Sequence, residues 1–136
     1  IKYSDINATG DITINKGIQI CAANEPGHSS DVDSVIMAKR INAKTIFRLT
    51  DVDGIYDKDP SEHKDAVKFA SLTWDKYFEI LGIDNFVPGG HYPIDPIASK
   101  MSKDLGITIK LMQGVDLDNL GNALREEHFN GTTVSN

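Results

Sequence analysis

The sequence predicts an α/β fold, a mostly parallel sheet with helices on both faces, formed as a single domain over residues 1–136. Three observations carry that expectation. Short apolar runs at 18–23, 45–49 and 107–112 alternate with stretches in which apolar residues recur at the spacing of an amphipathic helix. Strands that alternate with helices are joined by crossovers, which favour parallel neighbours in one sheet. The 136 residues, 40% hydrophobic and 25% charged, suffice for one buried core and match ordinary globular composition.

In chain order, residues 1–15 are polar and weakly patterned, and "ATGDITINKG" reads as a turn or hairpin. Residues 18–23 form a short apolar strand, followed by "NEPGHSS", a loop punctuated by Pro26-Gly27. Val32, Val35, Ile36, Ala38 and Ile41 give a helix over 31–41, capped by Ser30 or Asp31. Residues 45–49 are the second strand, and 64–71 read as extended or irregular. "TWDKYFEILG" is a short helix with Thr73 as N-cap and Gly82 just past its end. "NFVPGGHYP" is a loop. Ile97, Met101 and Leu105 mark a helix stopped by Gly106, and residues 107–112 are a strand. Leu117, Leu120 and Leu124 mark one more helix, and 132–134 a closing strand.

The net charge of -6 argues against nucleic acid as a partner, since a phosphate-tracking surface needs an excess of lysine and arginine. A nucleotide pocket is untouched by that argument, because backbone N–H groups and a few local cations can hold phosphates. One cysteine, Cys21, allows no internal disulfide and suits a reducing compartment. No apolar run approaches the roughly 18 residues of a membrane span, and no signal peptide is visible. The expectation is a cytoplasmic location without a membrane partner.

"LTDVDGIYDKDP", residues 49–60, gathers Asp51, Asp53, Asp57 and Asp59 at the end of an apolar strand. Metal coordination, a solvated turn and recognition of a ligand's polar groups are three open readings. A calcium loop counted from Asp51 has Glu62 at its twelfth place but Tyr56 where the sixth requires glycine. In open α/β sheets ligands bind beyond the carboxyl ends of strands, and two loops leave such ends, "AANEPGHSSD" and "TDVDGIYDKDP". The first brings Ser29, Ser30 and unpaired N–H groups to a helix start, which suits an anion. A plain cap by Ser30 is the alternative. His28, His63, His91 and His128 are scattered without zinc spacing, and Cys21 sits inside an apolar strand. No residue is assigned as a metal ligand.

The second loop, "TDVDGIYDKDP", resembles the nucleotide-binding segment T-x-V-D-G-V-Y-x-x-D-P of the amino-acid kinase superfamily, closest to its uridylate (UMP) kinases. Three further matches follow in order. "PGHSSD" is similar to the P-G-H-T-T-D element of archaeal-type members. "PIDPIASK" is similar to V-I-D-P-L-A-A-K, and "NGTTV" to a closing G-T strand. The resemblance runs from Ile18 to Val134 and matches the C-terminal, nucleotide-binding half of this carbamate kinase-like fold. The glycine-rich phosphate loop and lysine of the N-terminal half are absent, so that half is expected as a partner. Ala22-Ala23 stands where the family has a glycine pair, and Asn24-Glu25 precedes the proline.

The resemblance implies phosphoryl transfer from Mg²⁺-bound ATP to a nucleoside monophosphate, in a homo-oligomer that is a hexamer by analogy. It implies that Thr50, Asp51, Tyr56 and Asp59 line the ATP side, with Asp53-Gly54 making the turn that presents them. Asn24, Pro26, Gly27, His28, Ser29 and Ser30 would face the acceptor, UMP. Catalytic support falls to Asp31, at a helix start between the two sites, and to Asp95, for which a simple helix start at Asp95-Pro96 is the alternative. Lys58 reaches the ATP rim. Two other functions stay open: a related kinase acting on an isopentenyl phosphate or amino acid, and a non-catalytic nucleotide- or oxyanion-binding module.

Overall fold

Four strands form the main sheet in the order β1-β5-β6-β4, in a computed structural model that describes residue 27, residues 29–82 and residues 92–136. They are β1 (Thr45–Thr50), β4 (Ser71–Thr73), β5 (Thr108–Gln113) and β6 (Thr132–Ser135). β1 runs parallel to β5 and β4 parallel to β6, while β5 and β6 are antiparallel. The expected α/β class, a mostly parallel sheet with helices, is what the chain forms. The expected strand at 18–23 and hairpin in 1–15 lie outside the described residues.

Among the described residues four helices accompany the sheet: α1 (Ser30–Arg40), α2 (Trp74–Leu81), α3 (Pro96–Leu105) and α4 (Leu117–Leu124). Their ends follow local chemistry. Ser29, not Ser30 or Asp31, caps α1, its hydroxyl accepting from Val32 N at 3.3 Å. Thr73 caps α2 as expected, and Gly82 and Gly106 end α2 and α3 in the left-handed conformation that favours glycine. Residues 64–71, read as extended or irregular, contain the two-residue strand β3 (Lys68–Phe69), which pairs antiparallel with β2 (Ile55–Tyr56).

Alternation along the strands puts Ile46, Ile109, Leu111 and Val134 on one face of the sheet. Ile109, Leu111 and Val134 join Trp74, Tyr77, Leu72, Ile94 and Ile55 in one core. Val32, Val35 and Ala38 of α1 meet Ala98 of α3 and Ile107 in a second, and Ile46 touches both. Each fully buried large side chain contributes about 1.5–3 kcal/mol. Trp74 and Tyr77 add an edge-to-face contact at 6.0 Å. On the other face Lys110 lies 5.7 Å above the Phe47 ring. This packing holds the starts of α1 and α3 near the C-terminal end of β1.

Candidate functional site

An open cleft of about 560 Å³ sits beyond the C-terminal end of β1, with Thr50, Asp51, Tyr56, Asp59, Arg48 and Tyr92 among its lining residues. Its construction starts at Thr50, whose carbonyl accepts from Gly114 N at 2.8 Å, extending the β1–β5 pairing by one bond. The chain then turns through Asp53-Gly54 into the β2–β3 hairpin. A Cβ on Gly54 would lie 2.5 Å from the Lys68 side chain and 3.0 Å from Thr132 Oγ1, so any larger residue there must displace Lys68. Thr132, fully buried, fastens the hairpin to the sheet. Its hydroxyl accepts from Ile55 N at 2.8 Å and donates to the Phe69 carbonyl.

The aspartates are mostly engaged with neighbours. Asp53 accepts from Tyr56 OH at 2.8 Å and Lys68 Nζ at 2.9 Å, and Lys68 also donates to Asn130. The lysine hydrogen bond, outweighing partial burial, holds the Asp53 carboxyl below its ordinary range, while the bond to Asp53 pushes the Tyr56 phenol up. With its hydroxyl tied to Asp53, Tyr56 presents its ring to the cleft. Asp59 accepts from Ser61 N at 2.8 Å and from Ser61 Oγ at 2.7 Å, which lowers its pKa. Asp57 accepts from Val67 N at 2.8 Å and Asp51 from Thr50 Oγ1 at 2.9 Å. Among the described residues no group of three acidic, histidine or cysteine side chains is placed to hold a metal ion.

Arg48, which lines the cleft, also belongs to a junction of charges beside it. Asp31, second residue of α1, accepts from Arg48 Nε at 3.0 Å and from Asp95 N at 3.0 Å. One carboxylate thereby ties α1, β1 and the start of α3 together. Asp95 caps α3, its Oδ1 accepting from Ile97 N at 2.8 Å and Ala98 N at 3.0 Å; the simple helix start at Asp95-Pro96 is thus realised, whatever else Asp95 does. Buried Tyr77 fixes the approach to Asp95, donating to the Ile94 carbonyl at 2.9 Å and accepting from Ile94 N at 2.8 Å. Burial pushes its phenol well above the ordinary value. A second hollow of about 190 Å³ is lined by Ser30, Asp31, Ser34 and Arg48, beside β1.

The expected ATP-side residues Thr50, Asp51, Tyr56 and Asp59 come together in one cleft. Of the expected acceptor-side residues, Gly27 adopts φ +97 and is exposed, Ser29 caps α1 and Ser30 borders the second hollow. Asn24, Pro26 and His28 lie outside the described residues. Lys58 lines the cleft, but its Nζ donates to Asp65 at 2.7 Å. Arg48 is the residue that motif reading passed over, because it was grouped with an apolar strand. The available signal was a lone charge within "TIFRLT", two positions before the strand end.

The chain matches the Amino acid kinase family over residues 4–113. It is 31% identical over 131 residues to a uridylate kinase of Methanobrevibacter smithii, covering 96% of this chain and 56% of that protein. A uridylate kinase of Methanothermobacter thermautotrophicus is 34% identical over 130 residues, 96% of this chain and 54% of its own. The chain therefore spans about half the length of the curated relatives it matches. The crystal structure of uridylate kinase from Archaeoglobus fulgidus superposes with a TM-score of 0.70 at 27% identity, over 86% of this chain and 51% of that one. Aspartate kinase from Synechocystis, at 21% identity and a TM-score of 0.63, shares the fold over 87% of this chain and 19% of its own. Sequence and fold agree, and the chain belongs to the amino acid kinase family.

Proposed function

We propose that this chain is the nucleotide-binding part of a uridylate kinase, transferring the γ-phosphoryl group of Mg²⁺-bound ATP to UMP to give UDP and ADP. The observation that carries the reading is the gathering of Thr50, Asp51, Tyr56 and Asp59 around one cleft that is also lined by Arg48, the partner of Asp31. Uridylate kinases of similar sequence support it. An oxygen of the UMP phosphate attacks the γ-phosphorus while the bond to the β,γ-bridging oxygen breaks, and ADP leaves. Such transfer asks the protein for in-line positioning and charge neutralisation more than for covalent chemistry.

In this reading Tyr56 lies against the base, and Thr50, Asp51 and Asp59 supply polar contacts on the ATP side. Asn24, Pro26, Gly27, His28, Ser29 and Ser30 face UMP. Asp31 and Asp95 position the two helix starts between the substrates. Residues 1–136 act as one α/β unit completed by an N-terminal half that brings the glycine-rich loop and its lysine, in a cytoplasmic oligomer. Among the described residues no helix is long and apolar enough to cross a membrane.

The test is ADP release in the presence of UMP, from this chain alone and from the protein completed with an N-terminal half. This chain alone is expected to stay near background, because electrostatic stabilisers worth about 10²–10³ each in rate are missing. Turnover is expected from the completed protein. A completed protein that binds ATP without turnover would favour a non-catalytic binding module, a reading to which Ala22-Ala23 and Glu25 give some support.

A further inference from the structure

We infer that Arg48 grips the phosphoryl groups delivered into the cleft and that Asp31 holds it in place to do so. The inference rests on the nucleotide reading above and names the cation of that same site.

Arg48 is the single charged residue of β1. Alternation puts it on the side of Ile46, which touches both cores, and of Thr50, at the cleft. A guanidinium on that side must find anionic or carbonyl partners to offset its lost hydration. Among the described residues it finds one: Asp31 accepts from Nε at 3.0 Å. The two Nη groups make no hydrogen bond to a described residue, although the side chain is 25% exposed and borders both hollows. Contact through Nε leaves the Nη side of the planar fork for a second anion, a geometry an ammonium cannot reproduce.

The charge balance points the same way. A phosphate arriving at the start of α1 meets the negative charge of Asp31, which lines the smaller hollow. Of the other cations near the cleft, Lys58 is paired with Asp65 and Lys68 is held by Asp53 and Asn130. Arg48 is the described cation placed to offset both Asp31 and an incoming polyphosphate. It lines both the hollow bordered by Ser30 and the cleft bordered by Tyr56, within reach of a phosphoryl group bound in either.

Titration calorimetry with AMP, ADP, ATP and inorganic tripolyphosphate tests the assignment, on the protein and on folded Arg48→Met and Arg48→Lys variants. Arg48→Met should weaken ATP and tripolyphosphate about 10- to 100-fold, the value of a charge-assisted contact, and leave AMP unchanged. Arg48→Lys should fall between, because it keeps the charge and loses the fork. Equal losses for AMP and ATP, or none for either, overturn the assignment and leave the nucleotide reading standing. Arg48-dependent binding of tripolyphosphate without binding of AMP or any preference for ATP keeps the grip and overturns the nucleotide reading. No binding of any of the four overturns both. Should Arg48→Met fail to fold, phenylglyoxal labelling of the unaltered protein decides, since its arginines are Arg40, Arg48 and Arg125. ATP but not AMP should shield Arg48, and equal labelling with either nucleotide overturns the proposal.

Discussion

Thr132→Val replaces a hydroxyl with a methyl of nearly the same shape at a fully buried site. The substitution therefore isolates the two hydrogen bonds that fasten the β2–β3 hairpin to β6. Ile55 N–H loses its acceptor in a buried setting and the Phe69 carbonyl loses its donor in a half-buried one. A buried orphan costs about 1–3 kcal/mol and the part-exposed carbonyl less, so a total near 2–4 kcal/mol is expected. With an unfolding entropy of about 2.1 cal/mol/K per residue, a chain of this size loses roughly 3–4 °C of Tm per kcal/mol, or about 7–14 °C in all. Thr132→Ser is the control: it keeps the hydroxyl and loses one methyl, for about 1 kcal/mol. Differential scanning calorimetry on the three proteins reads the difference. Because Ile55 precedes Tyr56, the valine variant should also bind ATP more weakly than the serine variant. A valine variant that melts with the serine variant would refute the view that this hydroxyl holds the cleft wall.

Tyr56→Ala should weaken ATP binding by about 1 kcal/mol through loss of a stacked ring, whereas Tyr56→Phe keeps the ring and gives up only its bond to Asp53; titration calorimetry giving equal losses would remove the ring from the site. Ser29→Ala should cost about 1 kcal/mol of stability as a lost helix cap, and Ser30→Ala almost none. On the proposed reading the double variant raises the KM for UMP and spares that for ATP, and an equal rise for both would assign the effect to the cap. Asp53 has a folded pKa held below its ordinary value, so its stabilisation is complete above about pH 4 and is lost as pH falls through the folded pKa. Thermal melts between about pH 5 and 2.5 should therefore fall less steeply for Asp53→Asn than for the parent; parallel curves would refute the linkage. Tyr77 has the opposite sign: its raised pKa gives stability that is present below about pH 10 and lost above it, and Tyr77→Phe should flatten the alkaline limb of the same measurement.

What was legible in the sequence was whatever depends on neighbours a few residues away. Helical spacing located α1 through α4, and Thr73, Gly82 and Gly106 marked their ends within local rules. The acidic segment after β1 left three readings open from its residues alone, and the family resemblance supplied the expectation that Thr50, Asp51, Tyr56 and Asp59 gather on one side, as they do around one cleft. What escaped depends on long-range pairing. Strands of two residues, β2 and β3, are too short for any periodicity to register. The Thr132 clamp joins residues 77 apart and the Asp31–Arg48 bond residues 17 apart. Ser29 caps α1 where Ser30 or Asp31 was expected, a shift of one or two residues among neighbours that can all cap a helix.

The dual attachment of Asp31 gives that carboxylate a role distinct from the one a catalytic base would need. A general base requires a free lone pair aimed at a substrate proton, yet Asp31 already accepts from Arg48 and from Asp95 N. Phosphoryl transfer does not call for such a base from the protein so much as for fixed geometry. Asp31 and its two partners belong to three elements: β1 carries Arg48 and Thr50 to the cleft, α3 begins at the cap set by Asp95, and α1, which holds Asp31 itself, begins at Ser30 behind its cap Ser29. Moving any one of these relative to the others breaks a bond to a half-buried carboxylate, which costs more than breaking an exposed pair. One carboxylate therefore adds a polar tie between α1, β1 and the start of α3 to the packing that already joins them, and its counter-ion, Arg48, lines both the cleft and the smaller hollow.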